Sequence, residues 1–116
     1  MSAAADRLAN ARVDRDAGHL SGAVSAAYYA MLNAARAALS ERDMHAKTHS
    51  GTWALFGEQF VASGEFDREL ARAAAAGQRL RELGDYEAKP PAGGDVEQLL
   101  STAERFVNAV ASMLAR

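Results

Sequence analysis

Apolar residues that recur at helical spacing are the feature that most constrains the fold of this 116-residue chain. The clearest run lies near the C-terminus, where one helical face would carry Val96, Leu99, Leu100, Ala103, Phe106, Val107, Val110, Met113 and Leu114. No segment alternates apolar and polar residues over a useful length, so no strand is predicted. Alanine, the best helix former, supplies much of the remaining apolar surface. An all-α fold is therefore predicted.

Breaks in this pattern divide the chain into helical segments. Helices are predicted over residues 3–16, 20–42, 51–63 and 66–86. Gly18 separates the first two, and Gly64 is predicted to end the third in a left-handed conformation. Residues 43–50 form a predicted loop, and residues 89–94 (KPPAGG) precede a last helix capped by Asp95. We expect an antiparallel bundle of four to five helices.

The spacing also predicts which side chains form the core. Tyr28 shares a helical face with Val24, Met31 and Ala35, and Trp53 and Phe56 are predicted to anchor the core from the third helix. The fourth helix carries a stripe of Phe66, Leu70, Ala73, Gly77 and Leu80. Because glycine inside a helix costs about 1 kcal/mol relative to alanine, close helix packing is the expected reason for Gly77.

Length, charge and composition narrow the possible classes of function. The length suits one domain, residues 1–116. A net charge of -2 excludes a strongly basic nucleic-acid binder but allows a local basic patch. Without cysteine, neither disulfides nor thiolate metal sites can form, and no cofactor is predicted. No apolar run approaches the ~20 residues that span a bilayer, and the N-terminus lacks a signal-peptide core, so a cytoplasmic protein without a membrane partner is expected.

Three short motifs occur in order along the predicted helices. They are residues 26–31 (AAYYAM), residues 47–51 (KTHSG) and residues 79–86 (RLRELGDY). Together they resemble the small stand-alone branch of the HEPN superfamily, over nearly the whole chain. The resemblance implies a helical bundle that dimerises, with the fourth-helix motifs facing a shared cleft. It also implies the toxin half of a toxin–antitoxin pair, with a minimal nucleotidyltransferase as partner.

The fourth-helix motif departs from that of the RNA-cleaving members of the superfamily. Those members use an arginine followed, after four to six residues, by a histidine. If Arg79 corresponds to the motif arginine, the position of the histidine is occupied by Gly84. If Arg81 corresponds to it instead, Asp85 lies four residues further on and no histidine follows. Histidine suits proton transfer near neutral pH, glycine cannot transfer protons, and aspartate is a poor acid. Ribonuclease activity is therefore not predicted from this motif.

Arg79, Arg81, Asp85 and Tyr86 are nevertheless the leading site candidates. One interpretation is a phosphate-facing cluster in which a guanidinium binds nucleotide or RNA oxygens. The alternative is an intrahelical ion pair between Arg81 and Asp85, four residues apart. By the resemblance, Tyr86 is the hydroxyl that the partner enzyme would adenylylate.

The loop before the third helix offers a second candidate site. Lys47 and His49 lie close to a helix N-terminus, where free N–H groups attract anions, and His49 would replace the missing motif histidine. The alternative is that Thr48 or Ser50 simply caps the helix. His45 and His49 have metal-binding spacing, but no third ligand is evident, so no metal site is predicted.

The second helix carries a polar stripe opposite Tyr28. It contains Tyr29, Asn33 and Arg36, at spacings of four and three. The stripe is predicted either to line a dimer or partner interface or to face water.

Three functional hypotheses follow. The first is a non-catalytic homodimeric module that binds a nucleotidyltransferase partner and a nucleotide or RNA. The second is a divergent metal-independent ribonuclease toxin that uses Arg79 or Arg81 with Asp85, assisted by His49. The third is a structural dimer whose motif residues form only ion pairs. They rank in that order, because glycine and aspartate are weak substitutes for an acid–base histidine.

Overall fold

The computed structural model describes residues 1–86 and 91–116, with the side chains of all of these except residues 84–86. The described part contains no strand, and its α-helices are α1 (Ser2–Asp16), α2 (Leu20–Ser40), α3 (His49–Phe56), α4 (Arg68–Tyr86) and α5 (Gly93–Leu114). The predicted all-α fold is confirmed. None of these helices combines the length and the apolar character needed to cross a membrane.

Helix α2 is the central element, and it contacts α1, α3, α4 and α5. Its buried positions are mostly alanines, namely Ala23, Ala26, Ala27, Ala30, Ala34, Ala35 and Ala38. These small side chains allow four neighbours to approach one helix closely. Tyr28 is fully buried among them, at 0% exposure, as its spacing predicts.

Helix α1 pairs with α2 through a short connection. Gly18, in residues 17–19, has a φ of +78°, a left-handed conformation that glycine adopts without steric cost. Two helices joined by so short a loop pack antiparallel. Ala4, Leu8 and Ala11 form the buried side of α1, which otherwise faces solvent.

The third helical segment differs from its prediction in where it starts and how it ends. It begins at His49, two residues early, because the Thr48 side chain accepts the Gly51 N–H at 2.9 Å and caps the helix. It continues as a π-helical turn, Gly57–Val61, which apolar spacing does not distinguish from α-helix. Gly64 has a φ of +81°, so the predicted left-handed stop is confirmed.

All the phenylalanines of the sequence meet in one aromatic cluster with Trp53. The Phe56 ring lies at its centre, with centroid distances of 5.1 Å to Phe60, 5.0 Å to Phe66 and 5.5 Å to Phe106. Trp53 joins through Phe106, at 5.7 Å. These separations are typical of favourable aromatic pairs, and the cluster joins α3, the π-helical turn, α5 and the residues just before α4.

The stripe predicted on α4 is only partly correct. The buried side runs through Leu70, Ala74 and Gly77, whereas Ala73 is exposed. The prediction followed a three-residue step after Leu70, but the helix buries the residue four positions on; both steps are compatible with helical periodicity.

Gly77 lies where α4 crosses α2 and α5. A Cβ built on it would lie 3.1 Å from Leu99 Cδ1, 3.2 Å from Met31 Cε and 3.4 Å from Tyr28 Cδ1. A methyl group would therefore crowd the crossing, so the predicted role of Gly77 in close packing is confirmed.

Helix α5 buries the apolar face predicted for it, with Leu114 partly buried. The predicted N-cap was wrong. The helix begins at Gly93 after Ala92, and Asp95 lies within its first turn. There its negative charge still interacts favourably with the helix dipole, which explains why a capping residue type occurs at this position.

Candidate functional site

The buried hydroxyl of Tyr28 is the centre of a polar cluster formed by α2, α3 and α4. It accepts a hydrogen bond from Trp53 Nε1 at 3.0 Å. It also lies 3.3 Å from His49 Nδ1 and 3.4 Å from Gln78 Oε1. A phenol has one proton, so it donates either to Gln78 Oε1 or to His49 Nδ1, the latter in the tautomer whose Nδ1 is unprotonated. The described side chains include no buried polar atom without a hydrogen bond.

Helix α3 brings His49 and Trp53 to Tyr28 because they are four residues apart, on one helical face. The Thr48 cap fixes where that helix begins and therefore the direction in which His49 points. The His49 ring packs against both tyrosines, with centroid distances of 5.7 Å to Tyr28 and 5.7 Å to Tyr29.

Helix α4 contributes an amide that is itself held in place. Gln78 Nε2 donates to Glu82 Oε1 at 3.0 Å, one helical turn further on. This bond directs Gln78 Oε1 toward the Tyr28 hydroxyl. The carboxylate therefore orders the amide that the tyrosine contacts.

Guanidinium groups from three helices surround Tyr29 and His49. The Arg81 guanidinium lies 5.1 Å from the Tyr29 ring centroid, and that of Arg7 lies 5.4 Å from it. Arg36 is close enough to act electrostatically on both Tyr28 and His49. We call Arg7, Tyr29, Arg36, His49 and Arg81 the cationic cluster. Glu82 acts on His49 with the opposite sign.

Burial and these charges set the protonation states. Burial, reinforced by Arg36 and Arg81, lowers the pKa of His49 below its usual 6.5. Burial raises the pKa of Tyr28 above its usual 10.0, against the opposing effect of its hydrogen bond from Trp53. At neutral pH the cluster therefore holds a neutral imidazole beside a protonated phenol and fixed guanidinium charges.

The structure brings together some of the residues singled out by the sequence. Arg81, His49, Tyr29 and Arg36 meet in the cationic cluster. Two of the residues predicted for a separate polar stripe are thus part of the same site as the α4 arginine. Asn33, the third, is half-buried one turn along α2 from Tyr29.

Other predicted site residues lie elsewhere. Arg79 is exposed and, being two residues from Arg81, points to a different side of α4. Lys47 is exposed just before the start of α3. The side chains of Asp85 and Tyr86 lie outside those described, and with them the Arg81–Asp85 ion pair.

Sequence reasoning missed three members of the site. Arg7 was overlooked because α1 carries several exposed charges, and no spacing distinguishes it from them. Trp53 was assigned to the core alone, although a tryptophan N–H requires a partner when buried. Gln78 had one usable signal, since it directly follows the closely packed Gly77.

His45 and His49 contact different side chains. His49 is turned toward Tyr28, whereas His45 is largely exposed with its Nε2 3.9 Å from Asp43 Oδ1. Among the described side chains, no group of three or more histidines, cysteines or carboxylates is placed to hold a metal ion.

The fold and cluster define a class of small helical protein with arginine side chains gathered around a tyrosine pair. A family model described as "HEPN domain" matches residues 1–113. The chain therefore belongs to the HEPN domain family.

Relatives agree with this membership. A "UPF0332 protein" of Gloeobacter violaceus is 35% identical over 124 residues, covering 100% of this chain and 94% of the relative. A protein of Methanocaldococcus jannaschii named "Putative toxin" is 32% identical over 92 residues, covering 79% of this chain and 69% of that protein. A second protein of that name and organism is 33% identical over 66 residues, covering 57% and 45% of the two chains.

Proposed function

We propose that this chain is the HEPN component of a toxin–antitoxin pair and binds the phosphate groups of RNA or a nucleotide at its cationic cluster. The observation that carries the proposal is the convergence of Arg7, Arg36 and Arg81, from three helices, on Tyr29 and His49. The relatives named "Putative toxin" support the biological role.

The chemistry of the cluster suits an anion better than a cation or an apolar ligand. Guanidinium groups bind phosphate oxygens through paired, charge-assisted hydrogen bonds. Two such groups already lie over the Tyr29 ring, which limits their mobility.

The proposal includes a homodimer and a minimal nucleotidyltransferase partner. Tyr29, Asn33 and Arg36 form a half-buried polar stripe on α2, suited to an interface next to the cluster. Sedimentation equilibrium tests the dimer: Asn33→Arg is expected to shift the protein toward monomer. A wild type that sediments as a monomer at all concentrations would remove this part of the proposal.

Tyr86 is proposed as the residue that the partner modifies with AMP. Incubation with the cognate nucleotidyltransferase and ATP is expected to add one AMP to the wild type and none to Tyr86→Phe, measured by intact mass. Equal addition to both proteins would exclude Tyr86.

A binding measurement tests the main proposal. We expect labelled single-stranded RNA to bind the wild type, and Arg81→Ala to weaken this binding about tenfold or more, since a hydrogen bond to a charged group contributes about 1.5–3 kcal/mol. Losing one phosphate contact also makes RNA binding less dependent on salt: the slope of the logarithm of the binding constant against the logarithm of the salt concentration becomes smaller in magnitude by about 0.7. Arg105→Ala removes an equal charge from the exposed side of α5 and is the matched control. Equal affinity for RNA in both variants would contradict the proposal, and competition by AMP separates RNA from nucleotide binding.

A divergent ribonuclease is the second candidate, because His49 reaches the neighbourhood of Arg81 from another helix. A neutral imidazole can accept the proton of a ribose 2′-hydroxyl as its oxygen attacks the adjacent phosphorus, and Arg81 can stabilise the charge that develops on the phosphate. The P–O5′ bond breaks, and the departing 5′-oxygen takes a proton from water. RNA cleavage lost in both His49→Gln and Arg81→Ala but retained in Arg105→Ala would support it. Wild-type protein that binds RNA without cutting it would leave the binding function alone.

A further inference from the structure

Three arginines form an exposed row along α4, on a side of the helix other than the one that carries Arg81. Arg68, Arg72 and Arg79 are spaced by four and seven residues, which places them on one helical face. We call them the α4 arginine row. It is about 16 Å long at ~1.5 Å per residue, or three helical turns. Within the described part of the chain, none of the three forms an ion pair.

Unneutralised like charges at this spacing destabilise a helix. Some exposed arginines elsewhere on the surface are paired: Arg42 bonds both carboxylate oxygens of Glu65 at 2.8 Å, and Arg12 lies 3.2 Å from Glu104. The α4 arginine row differs from these pairs because no described carboxylate lies within ion-pair distance of it, although Glu69 lies between Arg68 and Arg72 in the sequence.

An apolar groove of about 240 Å³ runs beside this row, between α4 and the π-helical turn. Its lining includes the small residues Gly57, Ala62, Ala71 and Ala75, together with Trp53, Val61, Arg68 and Arg72. Small side chains in the lining let another backbone approach closely, as they do where α4 crosses α2.

The groove's size and charge favour one kind of occupant. Its volume is below the roughly 300–1,000 Å³ of small-molecule pockets, so it fits side chains better than a whole cofactor. A second copy docking through the same face would oppose the two arginine rows, which disfavours a symmetric dimer there. RNA offers phosphates to the row but no aliphatic side chains to the apolar lining.

We infer that the groove and the α4 arginine row dock an acidic amphipathic helix of a protein partner. Its apolar side chains fill the groove against Trp53 and Ala75, and its carboxylates pair with Arg68 and Arg72. Arg79 extends the charge contact one or two turns beyond the groove. The inference does not depend on RNA binding, because none of these residues belongs to the cationic cluster.

A synthetic peptide tests the inference directly. The probe is a fluorescein-labelled helical peptide of about 15 residues, with leucines on one face and glutamates flanking them; a second peptide has lysines in place of the glutamates. The glutamate peptide is expected to bind at least tenfold more tightly than the lysine peptide. Trp53 is the single tryptophan of the chain, so its emission is expected to shift on binding.

Charge reversal supplies the specificity control. Arg68→Glu with Arg72→Glu is expected to reverse the preference between the two peptides, whereas Arg105→Glu, which makes the same change on α5, is expected to leave it unaltered. Arg79→Glu is expected to change the peptide preference less than the same substitution at Arg68 or Arg72. Ala75→Trp, which fills the groove without changing charge, is expected to weaken binding, and thermal melts check that each variant is folded.

Two results would overturn the inference. The first is equal affinity of the wild type for both peptides. The second is an unchanged preference after reversal of Arg68 and Arg72. If that double variant instead loses RNA affinity and not peptide affinity, the row binds RNA and the inference is wrong. Arg81→Ala is expected to leave peptide binding unchanged, so failure here is distinct from failure of the cationic cluster to bind RNA.

Discussion

The two ends of one helical stripe form very different surroundings. His49, Trp53, Phe56 and Phe60 follow one another at spacings of four, three and four, on a single face that runs from α3 into the π-helical turn. At one end His49 contacts a tyrosine hydroxyl and lies near guanidinium charges. At the other, Phe56 and Phe60 pack against other rings and aliphatic groups, and the Arg42 guanidinium lies over the Phe60 ring. Helical spacing alone therefore determines that a residue faces inward. The chemistry of its side chain determines whether the residue stabilises the core or takes part in the polar cluster.

Trp53 connects the two ends. Its indole N–H donates to Tyr28, and its ring packs on Phe56 and Phe106. A substitution in either the aromatic cluster or the polar cluster can therefore affect the other cluster through the Trp53 side chain. The variants below test how far the aromatic end supports stability and the polar end supports binding.

Phe56→Ala is expected to have the largest effect on stability. Removing the central ring leaves a cavity among the other aromatic residues, at a cost of about 3–5 kcal/mol. Domains of this size are stable by only about 5–15 kcal/mol, so the variant is expected to be close to unfolding. Urea denaturation measures the loss. Phe56→Leu is expected to lose less and to bind RNA as the wild type does; a loss of RNA affinity in that folded variant would show that the two ends are not separable.

Tyr28→Phe is expected to have an intermediate effect and to lower the free energy of unfolding by about 1–3 kcal/mol. It removes the acceptor of the Trp53 N–H and leaves that partly buried donor without its partner. Tyr29→Phe is the matched control, because no hydrogen bond of its hydroxyl occurs among the described side chains. Urea denaturation of the two variants compares them. Equal stability loss would mean that the Tyr28 hydroxyl contributes nothing to the fold.

The smallest expected effect concerns an exposed contact over the aromatic end. Arg42 packs 4.3 Å from the Phe60 ring centroid and bonds Glu65, and hydrogen bonds from Ser63 and Arg42 lower the pKa of that carboxyl. A lowered carboxyl pKa stabilises the fold above the usual value of 4.5, and this stabilisation is lost as the pH falls through the folded-state value. Arg42→Ala is expected to reduce the acid dependence of stability, measured by thermal melts between pH 6 and pH 3. An unaltered pH profile would mean that the contact has no effect on stability.

Much of the fold follows from the sequence because it depends on spacing. The apolar face of α5, the burial of Tyr28 and the close packing at Gly77 all follow from helical period and residue size. Asp95 and Ala73 were misplaced because each prediction required the register of a helix to within one residue, which local pattern does not supply.

The site was less predictable, since it is assembled from four helices distant in sequence. Arg7, Arg36, His49 and Arg81 approach one another only after α1, α3 and α4 have packed on α2. Their grouping depends on tertiary contacts that no single motif encodes. The resemblance brought Arg81 and His49 to notice, but only the packing shows that they share one site.

The most direct test of the account is the pKa of His49 with and without RNA. Ring-proton NMR titration separates it from the two other histidines, and His49→Gln assigns its signal. In the free protein, burial and the nearby arginines are expected to hold the His49 pKa below 6.5, and Arg81→Ala is expected to raise it. Saturating single-stranded RNA is expected to raise the pKa as well, because a phosphate beside the imidazole favours its protonated form. An unchanged His49 pKa under saturating RNA would contradict the claim that the cationic cluster binds phosphate.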